Sequence, residues 1–254
     1  MKILCILILH NAEQILPFTF RHYDQFVDEY WVFDDRSTDG TQAILKANPK
    51  VKQRPFTGME GLYEEQNLGL IYQTYPEAVG KFDWVFVVDP DEFILPAKPY
   101  EQMWHLLTDM KFFGYELVSS QGFNLVGEKF PEDDGRSQIY ELNPAGVLAP
   151  IYSKPVVFQP HVKIEWMRGK HQLENCHPIV SPKPMLKLLH ARYFGKEHTR
   201  ERNAKSYERC GFLNGDKGPA WSCSPGYDGQ HLEGSPQWAE WARTQAFNVL
   251  EAGI

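Results

Sequence analysis

The chain has 254 residues, which is enough for one large domain with a substantial core. Its formal net charge of -7 excludes a nucleic-acid backbone as the main partner, and its 43% hydrophobic content is ordinary for a globular protein. The apolar run Ile3–Leu9 lacks a small-residue cleavage site, so it predicts a buried strand rather than a signal peptide. No run approaches the ~20 apolar residues of a transmembrane helix. We therefore expect one cytoplasmic domain over residues 1–254.

The cysteines give no sign of a disulfide framework or a zinc site. They are Cys5, Cys176, Cys210 and Cys223, with no C-x-x-C pair, which favours free thiols in a reducing compartment. His171, Cys176 and His177 cluster in sequence but lack a second ligand pair at a familiar zinc spacing. We expect no structural zinc there.

The first half alternates apolar runs with helical patterns, which is typical of parallel strands joined by crossover helices. The predicted strands are Ile3–Leu9, Tyr30–Phe33, Val51–Arg54 and Trp84–Val88. The predicted helices are one that carries Leu16, Phe20 and Tyr23 at helical spacing, then Thr41–Ala47 and Tyr63–Tyr75. The fold class expected is α/β, with a mostly parallel central sheet flanked by helices.

The second half has a weaker pattern. Strands are predicted at Leu117–Ser120, Val156–Phe158 and Met185–Leu189, and helices at Tyr100–Met110, at Lys196–Cys210 and after Ser235–Pro236. Gly122–Pro150 is interpreted as a long, loop-rich stretch, which in a compact domain is often functional.

Polar clusters follow three of the predicted strands. His10, Asn11 and Glu13 come after the first, Asp34–Asp35 after the second, and Asp89–Glu92 after the run that ends at Val88. In an open α/β sheet, ligands bind beyond the carboxyl ends of the strands. We therefore expect these clusters to form one ligand site.

The segment Asp89-Pro90-Asp91 points to a divalent cation. Two carboxylates just past a buried strand repel each other unless a cation or hydrogen-bond donors offset the repulsion. Mg²⁺ and Mn²⁺ prefer oxygen ligands and commonly bridge to phosphates. The other interpretation, left open by these residues alone, is an Asp turn that caps the next segment through Pro90.

Two motifs together resemble the family 2-like glycosyltransferases of GT-A fold, in particular bacterial ones with a His-Asn first loop. They are the D-D-x-S-x-D-G-T segment Asp34–Thr41 and the D-x-D-E-F segment Asp89–Phe93, and the match covers roughly residues 3 to 95 well. The resemblance implies a nucleotide-diphospho-sugar transferase fold, with a nucleotide-binding half over 1–95 and an acceptor-binding half over 96–254.

The resemblance also implies roles for individual residues. Asp34 or Asp35 would contact the nucleobase, Asp89 would lie near the ribose and the metal, and Asp91 would be the principal ligand of Mn²⁺ or Mg²⁺. His190, which ends the run Leu188–Leu189, resembles the C-terminal histidine that completes the metal site in many such enzymes. His10, Asn11, Glu13 and Gln66 are expected near the donor, although Gln66 stands where related enzymes often have arginine.

The catalytic base is not fixed by any motif. The family's downstream Glu-Asp motif is not clearly present, and Glu165, Glu174, Asp133 and Asp134 all qualify by residue type. Because polar groups converge within His171–His177, we select Glu174, together with His171, as the catalytic candidates.

The expected activity is transfer of a sugar from a nucleotide-diphosphate donor, a UDP-sugar, to a glycan or other hydroxyl acceptor. One alternative is a sugar nucleotidyltransferase, although the loop after the first strand is neither glycine-rich nor basic. Another is a catalytically silent nucleotide-sugar-binding module.

Overall fold

A computed structural model describes residues 1–56, 63–204 and 236–254. Its larger helices are α1 (Leu16–Tyr23), α2 (Thr41–Ala47), α3 (Tyr63–Thr74), α4 (Met103–Phe112), α5 (Ile139–Leu142), α6 (196–204) and α7 (Pro236–Thr244). Its strands are β1 (Ile3–Leu9), β2 (Glu29–Asp34), β3 (Val51–Arg54), β4 (Trp84–Val88), β5 (Glu92–Pro96), β6 (Leu117–Val118), β7 (Ser120–Gly127), β8 (Ala145–Leu148), β9 (Val157–Phe158), β10 (Leu186–Phe194) and β11 (Phe247–Asn248).

The larger sheet has the strand order β3-β2-β1-β4-β9-β6. The first four strands are parallel, β9 pairs antiparallel with β4, and β6 pairs antiparallel with β9 and so runs in the same direction as the first four. From β1 the chain continues outward to β2 and β3, then returns to place β4 on the other side of β1. The strand order therefore reverses between β1 and β4, and a crevice at the carboxyl ends of these two strands is expected there.

Apolar side chains cover both faces of this sheet. Alternate β1 residues face opposite sides, so Cys5 and Leu7 pack with α1, α2 and α4, while Leu4 and Ile6 pack with α3. Burial on both faces explains why β1 and β4 are continuous apolar runs rather than alternating ones.

A second sheet has the order β11-β8-β7-β10-β5, and its strand β5 follows β4 of the first sheet closely in the chain. Only Asp89, Pro90 and Asp91 separate β4 of the first sheet from β5 of the second, and we name the segment Asp89–Glu92 the acidic turn. Its backbone is held by α1, because Thr19 Oγ1 donates to the Pro90 carbonyl at 2.6 Å and the Tyr23 hydroxyl donates to the Glu92 carbonyl at 2.8 Å.

The structure confirms the α/β class and the mostly parallel central sheet flanked by helices. The loop-rich interpretation of Gly122–Pro150 is wrong, because β7, α5 and β8 lie in it. Gly122, which suggested a loop, is needed within β7, since a Cβ there would lie 2.4 Å from the carbonyl carbon of Tyr152. The strand predicted at Met185–Leu189 extends through His190 to Phe194. Of the predicted helices, 205–210 and Ser235 lie outside the described residues.

Two further properties concern the whole described chain. Among the described residues, no helix combines the length and the apolar character that crossing a bilayer requires. Cys5 and Cys176 are free thiols, whereas Cys210 and Cys223 lie outside the described residues.

His22 of α1 makes two buried hydrogen bonds, one to β5 of the second sheet and one to α5. Its Nε2 lies 3.0 Å from the Ile94 carbonyl, which can only accept, so Nε2 carries the proton and Nδ1 accepts from the Tyr140 hydroxyl at 3.0 Å. Burial lowers the pKa of His22 from 6.5 to about 4, against the weaker opposing effect of the Ile94 carbonyl. The neutral ring is therefore the form that the fold accommodates.

We predict that His22 makes the protein acid-labile. The unfolded chain binds this proton at its ordinary pKa, so the stabilisation is complete above pH 6.5 and is lost as the pH falls toward 4, by about 3 kcal/mol. His22→Gln can make the same two hydrogen bonds without titrating. Urea unfolding at a series of pH values should show a smaller loss for the variant, and identical slopes would contradict the assignment.

Candidate active site

A cavity of about 470 Å³ opens at the carboxyl ends of β1 and β4, where the strand order reverses. Its lining includes the end of β1 and the loop after it, the acidic turn, one side of α3, and residues of β10 and α6. The polar groups that line it are His10, Asn11, Asn67, Asp89, Asp91, Lys154, Lys170, His171, His190, Arg192, His198, Glu201 and Arg202. Cationic and anionic groups are therefore mixed in one crevice.

Two lysines neutralise the carboxylates at the two ends of the acidic turn, Asp89 and Glu92. Lys154 Nζ lies 2.5 Å from Glu92 Oε1 and 3.4 Å from Asp89 Oδ2, while Lys170 Nζ lies 2.6 Å from Asp89 Oδ1. The Glu92 side chain is 0% exposed and that of Lys154 is 4% exposed. Burial opposes ionisation of Asp89, but Lys170 and Lys154 outweigh it and hold its pKa below the ordinary value. Burial likewise opposes the charge of Lys154, and Glu92 and Asp89 raise its pKa nonetheless.

Asp91 has a different set of partners. Arg202 Nη2 lies 2.5 Å from Asp91 Oδ2, and His190 Nε2 lies 3.4 Å from the same oxygen. Burial opposes ionisation of Asp91, and Arg202 outweighs it, so the pKa of Asp91 lies well below its ordinary value. Burial lowers the pKa of His190 despite the nearby Asp91. At neutral pH we therefore treat His190 as the uncharged imidazole.

The tautomer of His190 follows from its other contact. Both ring nitrogens face acceptor oxygens: Nδ1 lies 2.9 Å from Asn124 Oδ1, and Nε2 lies 3.4 Å from Asp91 Oδ2. The shorter contact favours the neutral tautomer with the proton on Nδ1 and a lone pair on Nε2. Asn124 faces His190 because the two residues are paired in register on β7 and β10. A hydrogen bond of this kind, made by the ring nitrogen that does not bind the ion, commonly orients a histidine that binds a metal.

Asp91 and His190 fit adjacent ligands of one divalent cation. An octahedral ion with ligands at ~2.1 Å places neighbouring ligand atoms about 3 Å apart, comparable with the observed 3.4 Å. Two lone-pair-bearing atoms side by side also favour a cation against both. Asp89, predicted as a further ligand, is instead paired with the two lysines. Over the described residues, no group of three His, Cys, Asp or Glu side chains is gathered for a metal.

The loop after β1 and the segment Asp34–Thr41 are joined by hydrogen bonds. The backbone amides of Asn11, Ala12 and Glu13 donate to Ser37, Thr41 and Asp39, at 2.8, 2.8 and 3.2 Å. In return, Asn11 Oδ1 and Glu13 Oε2 accept backbone amides of that segment. These hydrogen bonds join the two loops into one wall of the site, and the backbone amides of Asn11, Ala12 and Glu13 already have acceptors within it.

Only some of the residues predicted to bind the donor line the cavity. His10 and Asn11 line the cavity, whereas Glu13, Asp34, Asp35 and Gln66 are not part of its lining. Asp34 accepts from Ser37 and from Gln42, as a turn-forming aspartate does, and Asp35 is buried beside Arg36. Their contacts with a nucleotide therefore stay predictions.

The two candidate catalytic residues are separated by the structure. His171 lines the cavity, and its Nδ1 donates to the Ile151 carbonyl at 2.6 Å, which leaves Nε2 as an acceptor in the neutral ring. Burial and, after it, Lys154 lower the pKa of His171. Glu174 is exposed and outside the cavity lining. Gly169 keeps the space beside the imidazole clear, since a Cβ there would lie 2.6 Å from His171 Nε2.

Sequence reasoning missed both lysines of the site. Lys154 precedes the apolar run that contains β9, and a lone lysine between a serine and a proline there was the available signal. Lys170 precedes His171 and carried no signal of its own. Asn67 Oδ1 is buried at the cavity wall without a hydrogen-bond partner in the part of the chain that the structure describes. Arg202 also belongs to the site, where its guanidinium pairs with Asp91.

Comparison with known proteins gives likenesses to solved structures. No family model matches the chain, and no curated protein matches it. A mycobacterial protein of known structure is 18% identical over 48% of this chain and 41% of its own length, with a TM-score of 0.34. A 4-diphosphocytidyl-2C-methyl-D-erythritol synthase is 13% identical over 63% of this chain and 75% of its own, with a TM-score of 0.37.

A third solved structure is from Desulfovibrio desulfuricans G20 and is described as a nucleotide-diphospho-sugar transferase. It is 10% identical over 49% of this chain and 59% of its own length, with a TM-score of 0.28. This chain thus spans less than two thirds of the mycobacterial and Desulfovibrio structures. At these identities and TM-scores the likenesses carry no argument about what this chain binds or converts.

We predict that the Lys154–Glu92 pair is essential to the fold around the site. Lys154→Met leaves a fully buried carboxylate unpaired and should lower the free energy of unfolding by about 3–5 kcal/mol. Adding Glu92→Gln removes that charge and should restore part of the loss. Lys111→Met, at the surface pair with Asp83, should cost about 0.5 kcal/mol or less. Urea unfolding checks all three, and equal stability of the two lysine variants would contradict the prediction.

Proposed function

We propose that this protein transfers a sugar from a nucleotide-diphosphate donor, a UDP-sugar, to an acceptor hydroxyl, assisted by Mn²⁺ or Mg²⁺. One observation carries the proposal: Asp91 from the acidic turn and His190 from β10 meet, together with Lys170 and Arg202, in a cavity where the strand order reverses. Carboxylate, imidazole and basic groups in one crevice suit a ligand that carries a diphosphate.

Each group of the site has a task in this reaction. Asp91 and His190 would hold the cation, which when bound would neutralise the departing diphosphate as a Lewis acid. Lys170 and Arg202 can pair with diphosphate oxygens, because both are basic side chains that line the cavity. Asn11, His10 and the loop joined to Asp34–Thr41 would bound the nucleoside end of the donor.

His171 is better placed than Glu174 to act as the base for the acceptor hydroxyl, because His171 lines the cavity and Glu174 does not. The acceptor oxygen forms the new bond to the anomeric carbon, while the bond from that carbon to the diphosphate breaks and its electron pair leaves with UDP. The hydroxyl proton passes to His171 Nε2, which is unprotonated in the neutral ring. A base of this type must be within hydrogen-bond reach of the hydroxyl.

The same loops weigh against the nucleotidyltransferase alternative. Such enzymes use free backbone amides after the first strand to bind a triphosphate. In this chain the amides of Asn11, Ala12 and Glu13 already donate to the neighbouring loop.

A cytoplasmic location, consistent with free Cys5 and Cys176, forms part of the proposal.

We predict that Asp91→Asn abolishes metal-dependent donor turnover while leaving the fold intact. Release of UDP from a panel of UDP-sugars, with and without Mn²⁺, should fall by roughly 100-fold or more because a charged ligand is lost. Asp83→Asn, at the opposite end of β4, is the matched control and should keep wild-type turnover. Full turnover by the Asp91 variant would remove this residue from the mechanism.

The same assay separates the alternatives. Donor binding without UDP release or transfer in the wild-type protein would favour a silent binding module. Formation of a nucleotide-sugar from a sugar phosphate and a nucleoside triphosphate would favour a nucleotidyltransferase.

We predict that His171, rather than Glu174, sets the acid limb of the pH profile. The neutral imidazole is the active form, and the pKa of His171 lies below the ordinary value of 6.5. As the pH is raised from acid, kcat should therefore increase and reach its plateau before about pH 6.5. His171→Gln should lower kcat by roughly 100-fold or more and remove this limb. Glu174→Gln should change neither. The reverse pattern would assign the base to Glu174.

A further inference from the structure

Arg202 pairs with the oxygen atom of Asp91 that also faces His190, where a bound cation would contact both residues. The guanidinium Nη2 lies 2.5 Å from Asp91 Oδ2, the same oxygen that lies 3.4 Å from His190 Nε2. Asp89 is engaged in a similar manner by Lys170, at 2.6 Å. In this state, positive charge from the chain stands where charge from a cation is expected.

Competition between the two positive charges follows from electrostatics. Asp91 is buried, so a partner of opposite charge is needed to offset the cost of removing its carboxylate from water. Either a guanidinium or a divalent cation can supply that charge. Both together at one oxygen would repel each other strongly in a poorly hydrated site. Arg202 therefore weakens cation binding as long as it stays on Asp91.

A diphosphate is a ligand to which Arg202 can move. A guanidinium binds phosphate oxygens through two parallel hydrogen bonds, and this geometry matches phosphate as well as it matches carboxylate. Arg202 lines the cavity from α6, and its side chain is 31% exposed, which gives the long side chain room to reorient. Lys170, also at the cavity wall, offers a second positive charge to the same ligand.

We propose that Arg202 is an exchangeable counter-ion, which pairs with Asp91 when the donor is absent and passes to the donor diphosphate when it binds, freeing the Asp91–His190 pair for the divalent cation. This proposal rests on the proposed function and adds to it a link between binding of the donor and binding of the cation. Donor and cation then bind cooperatively, and by linkage each raises the affinity for the other by the same factor.

Calorimetric titration of Mn²⁺ into the full-length protein, alone and with saturating UDP, tests the exchange. Wild-type protein should bind Mn²⁺ weakly in the absence of UDP, and its affinity for Mn²⁺ should be about 10-fold higher or more in the presence of UDP. Arg202→Gln should bind Mn²⁺ alone about 10-fold more tightly than wild type, with most of the coupling lost. Arg200→Gln, which removes a surface pair with Glu197 on the same helix, should behave as wild type.

The outcomes distinguish this inference from the proposed function. Cooperative Mn²⁺ and UDP binding in the wild type, with no gain in Mn²⁺ affinity in Arg202→Gln, would overturn the exchange and leave the proposed function standing. Absence of Mn²⁺ binding to the wild type even with UDP would overturn both. Arg202→Lys keeps the positive charge and should keep Mn²⁺ binding weak in the absence of UDP. If the lysine variant bound the ion as tightly as the glutamine variant, charge occupancy would be excluded as the cause.

Discussion

The site depends on the neutralisation of buried carboxylates in the acidic turn. Glu92 has no solvent exposure, so its charge is tolerable only beside Lys154, which itself enters the site next to the first sheet, just before β9. Glu92 starts β5 of the second sheet. One ion pair therefore ties the two sheets together at the point where the cavity opens. The geometry of the site and the packing of the two sheets are consequently not independent of each other.

This arrangement couples stability to ligand binding in a particular way. Lys154 is buried against Glu92 and acts as a fixed charge, whereas Lys170 and Arg202 reach their carboxylates from the cavity wall. The fixed pair keeps the turn in place whichever ligand is present. The wall pairs can be exchanged, because each of these cations can bind an incoming anion instead. A site of this kind can satisfy its carboxylates both before and after a charged ligand enters.

How far the sequence could predict this protein differs between its halves. The strands β1, β3 and β4 were predicted to the residue, since continuous apolar runs ending in polar clusters leave few alternatives. In the second half, Gly122 suggested a loop because its role, room for the backbone near Tyr152, is visible only in three dimensions. The position of Asp91 at the cavity followed from the sequence because polar residues at the ends of neighbouring parallel strands meet at one edge of the sheet, whereas its role as a ligand stays a prediction. Lys154, 62 positions from its partner Glu92, could not be found by spacing.

Strand register, rather than loop sequence, determines the chemistry at the back of the cavity. His190 pairs with Glu92 across one edge of β10 and with Asn124 across the other, so a single strand aligns the imidazole with the acidic turn and with the acceptor for its Nδ1 proton. A slip of one residue would turn His190 to the opposite face of the sheet. Because apolar neighbours such as Leu189 pack on that face, the hydrophobic core resists the slip. Core packing thus fixes the face of the sheet on which His190 lies, and the position of a possible cation ligand follows from the same contacts that hold the second sheet together.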